Sequence, residues 1–153
     1  MLGVAQKRTT HENGFTLIEV LVVVVIIAIL VTLVIAVFPH QRAKAQDTEA
    51  KSIIRDAMTA IESAYIDADT FDPTVDGMLP ADLHAIEPSI TFVVHETAAT
   101  APTAEASADT VNYAGTASSY AVGAKSASGR TFGVSVDKTA STTRYIEGEP
   151  ADW

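Results

Sequence analysis

The chain has no cysteine among its 153 residues, which excludes a disulfide framework, a thiolate metal site and a cysteine nucleophile together. Positive charge is scarce as well. Ten Lys and Arg stand against nineteen Asp and Glu, a net charge of −9, so binding of nucleic acid through overall charge is excluded and no direct nucleic-acid site is evident. His11, His40, His84 and His95 show no paired-ligand spacing of the H-E-x-x-H kind. There is no N-x-S/T sequon, so N-glycosylation has no acceptor. Ser135-Val136-Asp137-Lys138 fits S-x-x-K but lacks the S-D-N and K-T-G partners that would give it meaning. Asp67, Asp69, Asp72 and Asp76 cluster, yet Phe71 and Asp72 occupy the last two places of the D-x-D-x-D-G order that a calcium loop needs. The sequence therefore offers no catalytic constellation, no cofactor site and no metal site, and an enzyme is not expected.

What the chain does have is spread unevenly. Phe15 to Phe38 is a run of 24 residues in which Glu19 is the one charged member and nineteen are Val, Ile, Leu or Phe. As a helix it would rise about 36 Å, enough to cross a hydrocarbon core of about 30 Å. Insertion is favoured by roughly 6–11 kcal/mol, which outweighs about 3 kcal/mol for one central carboxylate. The β-branched stretch Val20 to Val25 would favour strand in water, but in lipid the backbone must bond internally and helix is forced. Lys7 and Arg8 precede the run, which keeps the N-terminus in the cytoplasm and sends the remainder outward. A secretory signal peptide is a poor fit: Ala43-Lys44-Ala45 mimics a cleavage site, but the apolar run is too long.

Pro39 follows the run and should kink the helix, freeing the carbonyl of Ile35. Beyond it Ala50, Ile53, Ile54, Ala57, Met58, Ile61, Ala64 and Tyr65 recur at three- and four-residue steps, the apolar stripe of an amphipathic helix that something downstream must cover. Turn residues from Asp67 to Pro73 end it, and Pro80 to Glu87 reads as one short helical piece. Strand-like runs follow at Ile90–Val94, Val111–Tyr113, Tyr120–Lys125, Thr131–Val136 and Thr143–Ile146, with a hairpin turn at Ser126–Gly129 that places Tyr120, Val122, Phe132, Val134 and Val136 on one face. Thr97 to Ala108 is nearly all Ala, Thr, Ser and Pro and reads as a loop or surface insertion. Trp153 is expected to pin the tail. The fold class is α+β, with a small antiparallel sheet packed on the helical stripe.

The residues that open the apolar run narrow the reading. Gly14-Phe15-Thr16-Leu17-Ile18-Glu19 stands after a short leader holding Lys7 and Arg8, and here the chain resembles the type IV pilin and pseudopilin family. The resemblance implies that a membrane-embedded prepilin peptidase cuts between Gly14 and Phe15 on the cytoplasmic side and then N-methylates Phe15. The parts would be a leader at 1–14, a transmembrane and filament-core helix at 15–38, an amphipathic half at 39–66, and a globular head at 67–153 carrying the 97–108 loop, together a ladle. Glycine at 14 suits an extended passage through a protease cleft. Glu19 lies only about 6 Å along the helix from Phe15. In a bundle of such helices its carboxylate can meet the new Phe15 ammonium of another copy, which makes misregistered packing expensive and sets axial register.

The resemblance further implies self-polymerisation driven by a cytoplasmic assembly ATPase and a membrane platform protein, with the bilayer as the partner before assembly. The precursor would sit in the cytoplasmic membrane and the product outside the cell. Many relatives carry a glycine and a proline where Ala28 and Ala36 stand here, and both alanines strengthen the helix. Two alternatives accompany the pilus subunit: a pseudopilin of a type II secretion system or DNA-uptake pilus, and an uncleaved, signal-anchored monomeric domain. From Asp67 onward four basic and thirteen acidic residues leave the head at −9, a solubilising charge.

Overall fold

A computed structural model of the chain describes residues 14–35, 38–102 and 109–153. It divides into two compact units, Met1–Pro39 and His40–Trp153. In the first, helix α1 runs from Leu17 to Ile35. In the second, which takes in helix α2 (Phe38–Ala68) from His40 onward, α2 and the short α3 (Pro80–Ile86) precede a six-stranded sheet. Its strands are β1 (Thr91–Val94), β2 (Thr110–Gly115), β3 (Ser119–Lys125), β4 (Thr131–Asp137), β5 (Thr142–Ile146) and β6 (Glu149–Pro150), in that spatial order.

The expected stripe of α2 is its buried face. Ala50, Ile53, Ile54, Ala57, Ile61 and Ala64 are buried, joined by Ala60, with Met58 and Tyr65 half-covered at the margin. Opposite them stand Tyr113, Tyr120, Val122, Phe132 and Val134, every second residue of β2, β3 and β4, as strand alternation requires. Phe71, just beyond α2, closes the end of this core: its ring stacks on Tyr65 at 4.2 Å and its carbonyl accepts the Tyr113 hydroxyl. The α+β class and the helix-on-sheet packing are as the sequence predicts.

Two expectations about the sheet are corrected. It is not antiparallel throughout, because β1 runs parallel to β2, pairing Phe92 with Val111. A two-residue strand, β6, also pairs with β5 where no strand is read from the sequence. A parallel neighbour needs a crossover of a dozen or more residues, and the chain between β1 and β2 is long enough for one; its described part begins with residues 95–102. Of the Ala/Thr-rich stretch, residues 97–102 form a loop, as the composition implies, with Ala98, Ala99 and Pro102 buried, and residues 103–108 lie outside the described ones.

Its seat is built by two glycines. Gly123 and Gly133 face each other across β3 and β4, on the sheet face opposite α2. A Cβ at Gly123 would stand 1.9 Å from the Ala98 carbonyl oxygen, and one at Gly133 the same distance from that of Ala99. The crossover backbone lies in the groove their missing side chains leave.

Candidate functional site

The site begins before α1. Gly14, Phe15 and Thr16 have no regular structure and are exposed, Phe15 to 76%. A Cβ at Gly14 would meet nothing within 4 Å, and its backbone is not left-handed. Nothing in the folded chain calls for glycine at 14, unlike Gly115, Gly123 or Gly133, whose Cβ atoms would strike backbone.

Thr16 caps the helix. The Glu19 N–H donates to both the Thr16 carbonyl (3.1 Å) and the Thr16 hydroxyl (3.3 Å), and the Val20 N–H opens the helical ladder on the same carbonyl. Thr16 and Glu19 thus hold the N-cap and third positions of a T-x-x-E capping sequence. The sequence reading missed this role, although the spacing alone announces it. Glu19 is exposed in the first turn, where the helix dipole favours a carboxylate.

Behind the cap α1 is apolar on every side. Thirteen of its large apolar side chains are exposed, between 48% and 83%. Covering them is worth on the order of 10–20 kcal/mol. Its one polar side chain beyond Glu19 is already satisfied, since the Thr32 hydroxyl donates to the Ile29 carbonyl at 2.7 Å. At 19 residues α1 rises about 28 Å, close to the thickness of a hydrocarbon core. Among the described residues no helix is both long and apolar enough to cross a membrane. The apolar run read from the sequence continues to Phe38 through residues 36 and 37, which lie outside the described ones.

These observations place an exposed, purposeless-looking glycine, an exposed aromatic, a capping threonine and a first-turn glutamate at the head of an uncovered apolar helix. Residues 9–35 match the prokaryotic N-terminal methylation motif. This motif opens type IV pilins and pseudopilins; here it spans Gly14, Phe15 and Glu19 and takes in α1. No curated protein matches the chain. Gly14 and Phe15 lie just before α1, and Glu19 lies in its first turn. Lys7 and Arg8 lie outside the described residues. Pro39 stands in the first turn of α2, where its missing N–H has no helical bond to forfeit, and the junction on which the expected kink turns includes residues outside the description.

Elsewhere, the side chains weighed in the sequence have local employment. The Asp72 carboxylate accepts from the Thr74 N–H (2.9 Å) and hydroxyl (2.7 Å), which hold its pKa below the usual range. Lys138 pairs with Glu62 at 2.5 Å instead of serving Ser135. His84 Nδ1 meets the Ile90 carbonyl at 2.6 Å, and His95 Nδ1 lies 3.2 Å from the Thr97 hydroxyl. Among the described residues no group of three acids and histidines could hold a metal ion. Trp153 does pin the tail: its indole N–H donates to the Tyr145 carbonyl at 3.1 Å, and its ring meets Phe132 edge-on.

One polar latch carries no sequence signal. Asp47, 9% exposed on α2, accepts from the Ser128 hydroxyl at 2.5 Å and from Arg130 at 3.1 Å, tying the β3–β4 turn to a helix residue more than eighty positions away. Burial pushes the Asp47 pKa up, but the bonds from Ser128 and Ser126 and the Arg130 charge outweigh it, and the net shift is downward.

Proposed function

We propose that this chain is the precursor of a type IV pilus subunit: a prepilin cut between Gly14 and Phe15, N-methylated on Phe15, and polymerised through α1 into a surface filament. The observation that carries the reading is the methylation motif seated on a helix that is apolar all round and uncovered. Such a helix has two ways to shed water, lipid before assembly and copies of itself afterwards. The precursor is therefore membrane-anchored, with Lys7 and Arg8 holding its leader in the cytoplasm. The partners are a prepilin peptidase with methyltransferase activity, an assembly ATPase, a platform protein and other copies of the chain.

In this reading each motif residue has one task. Gly14 lets the backbone lie extended in the peptidase. Cleavage gives Phe15 an ammonium with an ordinary pKa of about 7.7–8.0. Glu19 of a neighbouring copy pairs with it, and because both are desolvated in the bundle, a copy in the wrong register strands two charges.

The test is mass spectrometry of the N-terminus combined with electron microscopy of sheared surface material. The expected product begins at methylated Phe15 and is a long fibre of this chain. Gly14→Val should leave the precursor uncut. Glu19→Val should be cut normally yet make few or no filaments. An unclipped chain dispersed singly in the native membrane overturns the proposal, and a short periplasmic assembly made only alongside secreted cargo would reassign it to a pseudopilin.

A further inference from the structure

Thr16 stands between two backbone states. Before it, Gly14 and Phe15 are exposed and irregular; after it, α1 begins at once with Leu17. One side chain marks the boundary. The Thr16 hydroxyl accepts from the Glu19 N–H at 3.3 Å, an arrangement that needs Thr16 itself to stay outside the helix as its N-cap. Among the described residues this hydroxyl makes no other hydrogen bond, so the cap is its whole employment in the folded chain.

Without that bond the helix has other places to start. Downstream lie Leu17 and Ile18, neither of a capping type; upstream the next residue that is of one is Asn13. A helix begun at Asn13 would take Gly14 and Phe15 as its first two residues, and the Gly14 carbonyl would then accept from the Ile18 N–H. Main-chain groups spent inside a helical turn are not free to pair with another protein, whereas an extended segment offers its N–H and C=O groups outward. Glycine at 14 acts in the same direction as the cap, since it is among the poorest residues in a helix and its missing side chain here leaves open space.

We propose that Thr16 is a positioning residue for removal of the leader: by capping α1 it keeps the Gly14–Phe15 bond outside the helix, in the form a peptidase takes. The inference rests on the cleavage proposed above and adds to it a residue that acts through the backbone, without touching the peptidase. Thr16 sets how much of the free precursor is ready to be bound. It takes no part in the chemistry of the cut.

The experiment uses the full-length precursor in lipid vesicles, mixed with native-host membranes that hold the prepilin peptidase, with initial rates read by mass spectrometry of the product beginning at Phe15. Thr16→Val keeps the branched shape and removes the cap. Once bound, the peptide is extended whichever residue stands at 16, so the variant should show KM raised by about two- to five-fold with kcat unchanged; the upper figure is the factor carried by one capping bond. Thr16→Ser and Thr16→Asn cap with side chains of different shape, and both should be cut like wild type. Amide exchange reads the helix start directly. The Leu17 and Ile18 N–H groups precede the first bonded one, that of Glu19, and should gain protection in Thr16→Val as earlier starts are populated.

Three results overturn the role of Thr16. The first is a Thr16→Val precursor cut with wild-type KM. The second is a loss that falls on kcat. The third is a Thr16→Asn precursor as impaired as Thr16→Val, which would mean that the peptidase reads the threonine side chain itself. All three leave the pilin reading intact, because wild type is still cut at Phe15. A wild-type precursor left uncut in its native host overturns that reading, and this inference with it.

Discussion

Replacing Gly133 by alanine is expected to lift the crossover off the sheet. The new Cβ would lie 1.9 Å from the Ala99 carbonyl oxygen and 2.6 Å from both its carbonyl carbon and its Cα, all backbone, so no side chain can swing aside to make room. Either β4 bends away from the crossover, into the α2 face, or residues 98–102 rise, and the second uncovers Ala98, Ala99 and Asn112. Overpacking of this kind costs about 1–3 kcal/mol. For a cooperative unit of this size that is a fall in melting temperature of about 4–15 °C. Thermal unfolding of the detergent-solubilised full-length chain measures the shift, and limited proteolysis locates it, with new cuts expected between residues 95 and 109. Gly14→Ala is the control, since its Cβ meets nothing within 4 Å and should leave melting unchanged. A Gly133→Ala chain that melts within about 1 °C of wild type, with the crossover still resistant, would refute the argument that the two glycines seat it.

Three further outcomes are expected. Asp47→Asn should destabilise the C-terminal unit by about 1–2 kcal/mol at neutral pH. Because the folded Asp47 pKa lies below its unfolded value, its contribution is present above the ordinary carboxylate range and lost as pH falls through the lowered pKa, so melting curves of wild type and variant should converge below about pH 4. Tyr113→Phe removes the donor to the Phe71 carbonyl, buried beside Gly115, and should cost about 1–2 kcal/mol in denaturant unfolding with an unchanged m-value. Thr16→Ala should remove about 1 kcal/mol of capping, seen as about five-fold faster amide exchange at Glu19, with Thr16→Ser close to wild type.

What the sequence determined by itself was whatever depends on neighbours along the chain. The apolar run, the Gly14–Glu19 motif and the α2 stripe are periodic or contiguous patterns, and the chemistry behind them acts over one or two helical turns. The hairpin between β3 and β4 is likewise local, its turn closed by Gly129 in the left-handed region. Tertiary structure decided what has no local signature. Whether Thr91–Val94 pairs parallel or antiparallel with β2 depends on the route the chain takes after β1, and at Ala98 and Ala99 that route lies in a groove offered by two glycines in other strands. Asp47 looks like any exposed helix acid until the β3–β4 turn brings Ser128 and Arg130 to it. The scarcity of Lys and Arg between residues 56 and 124 is only a statistic in one dimension. It becomes an acidic edge because the order of the strands sets β1, with α3 against it, at one side of the sheet.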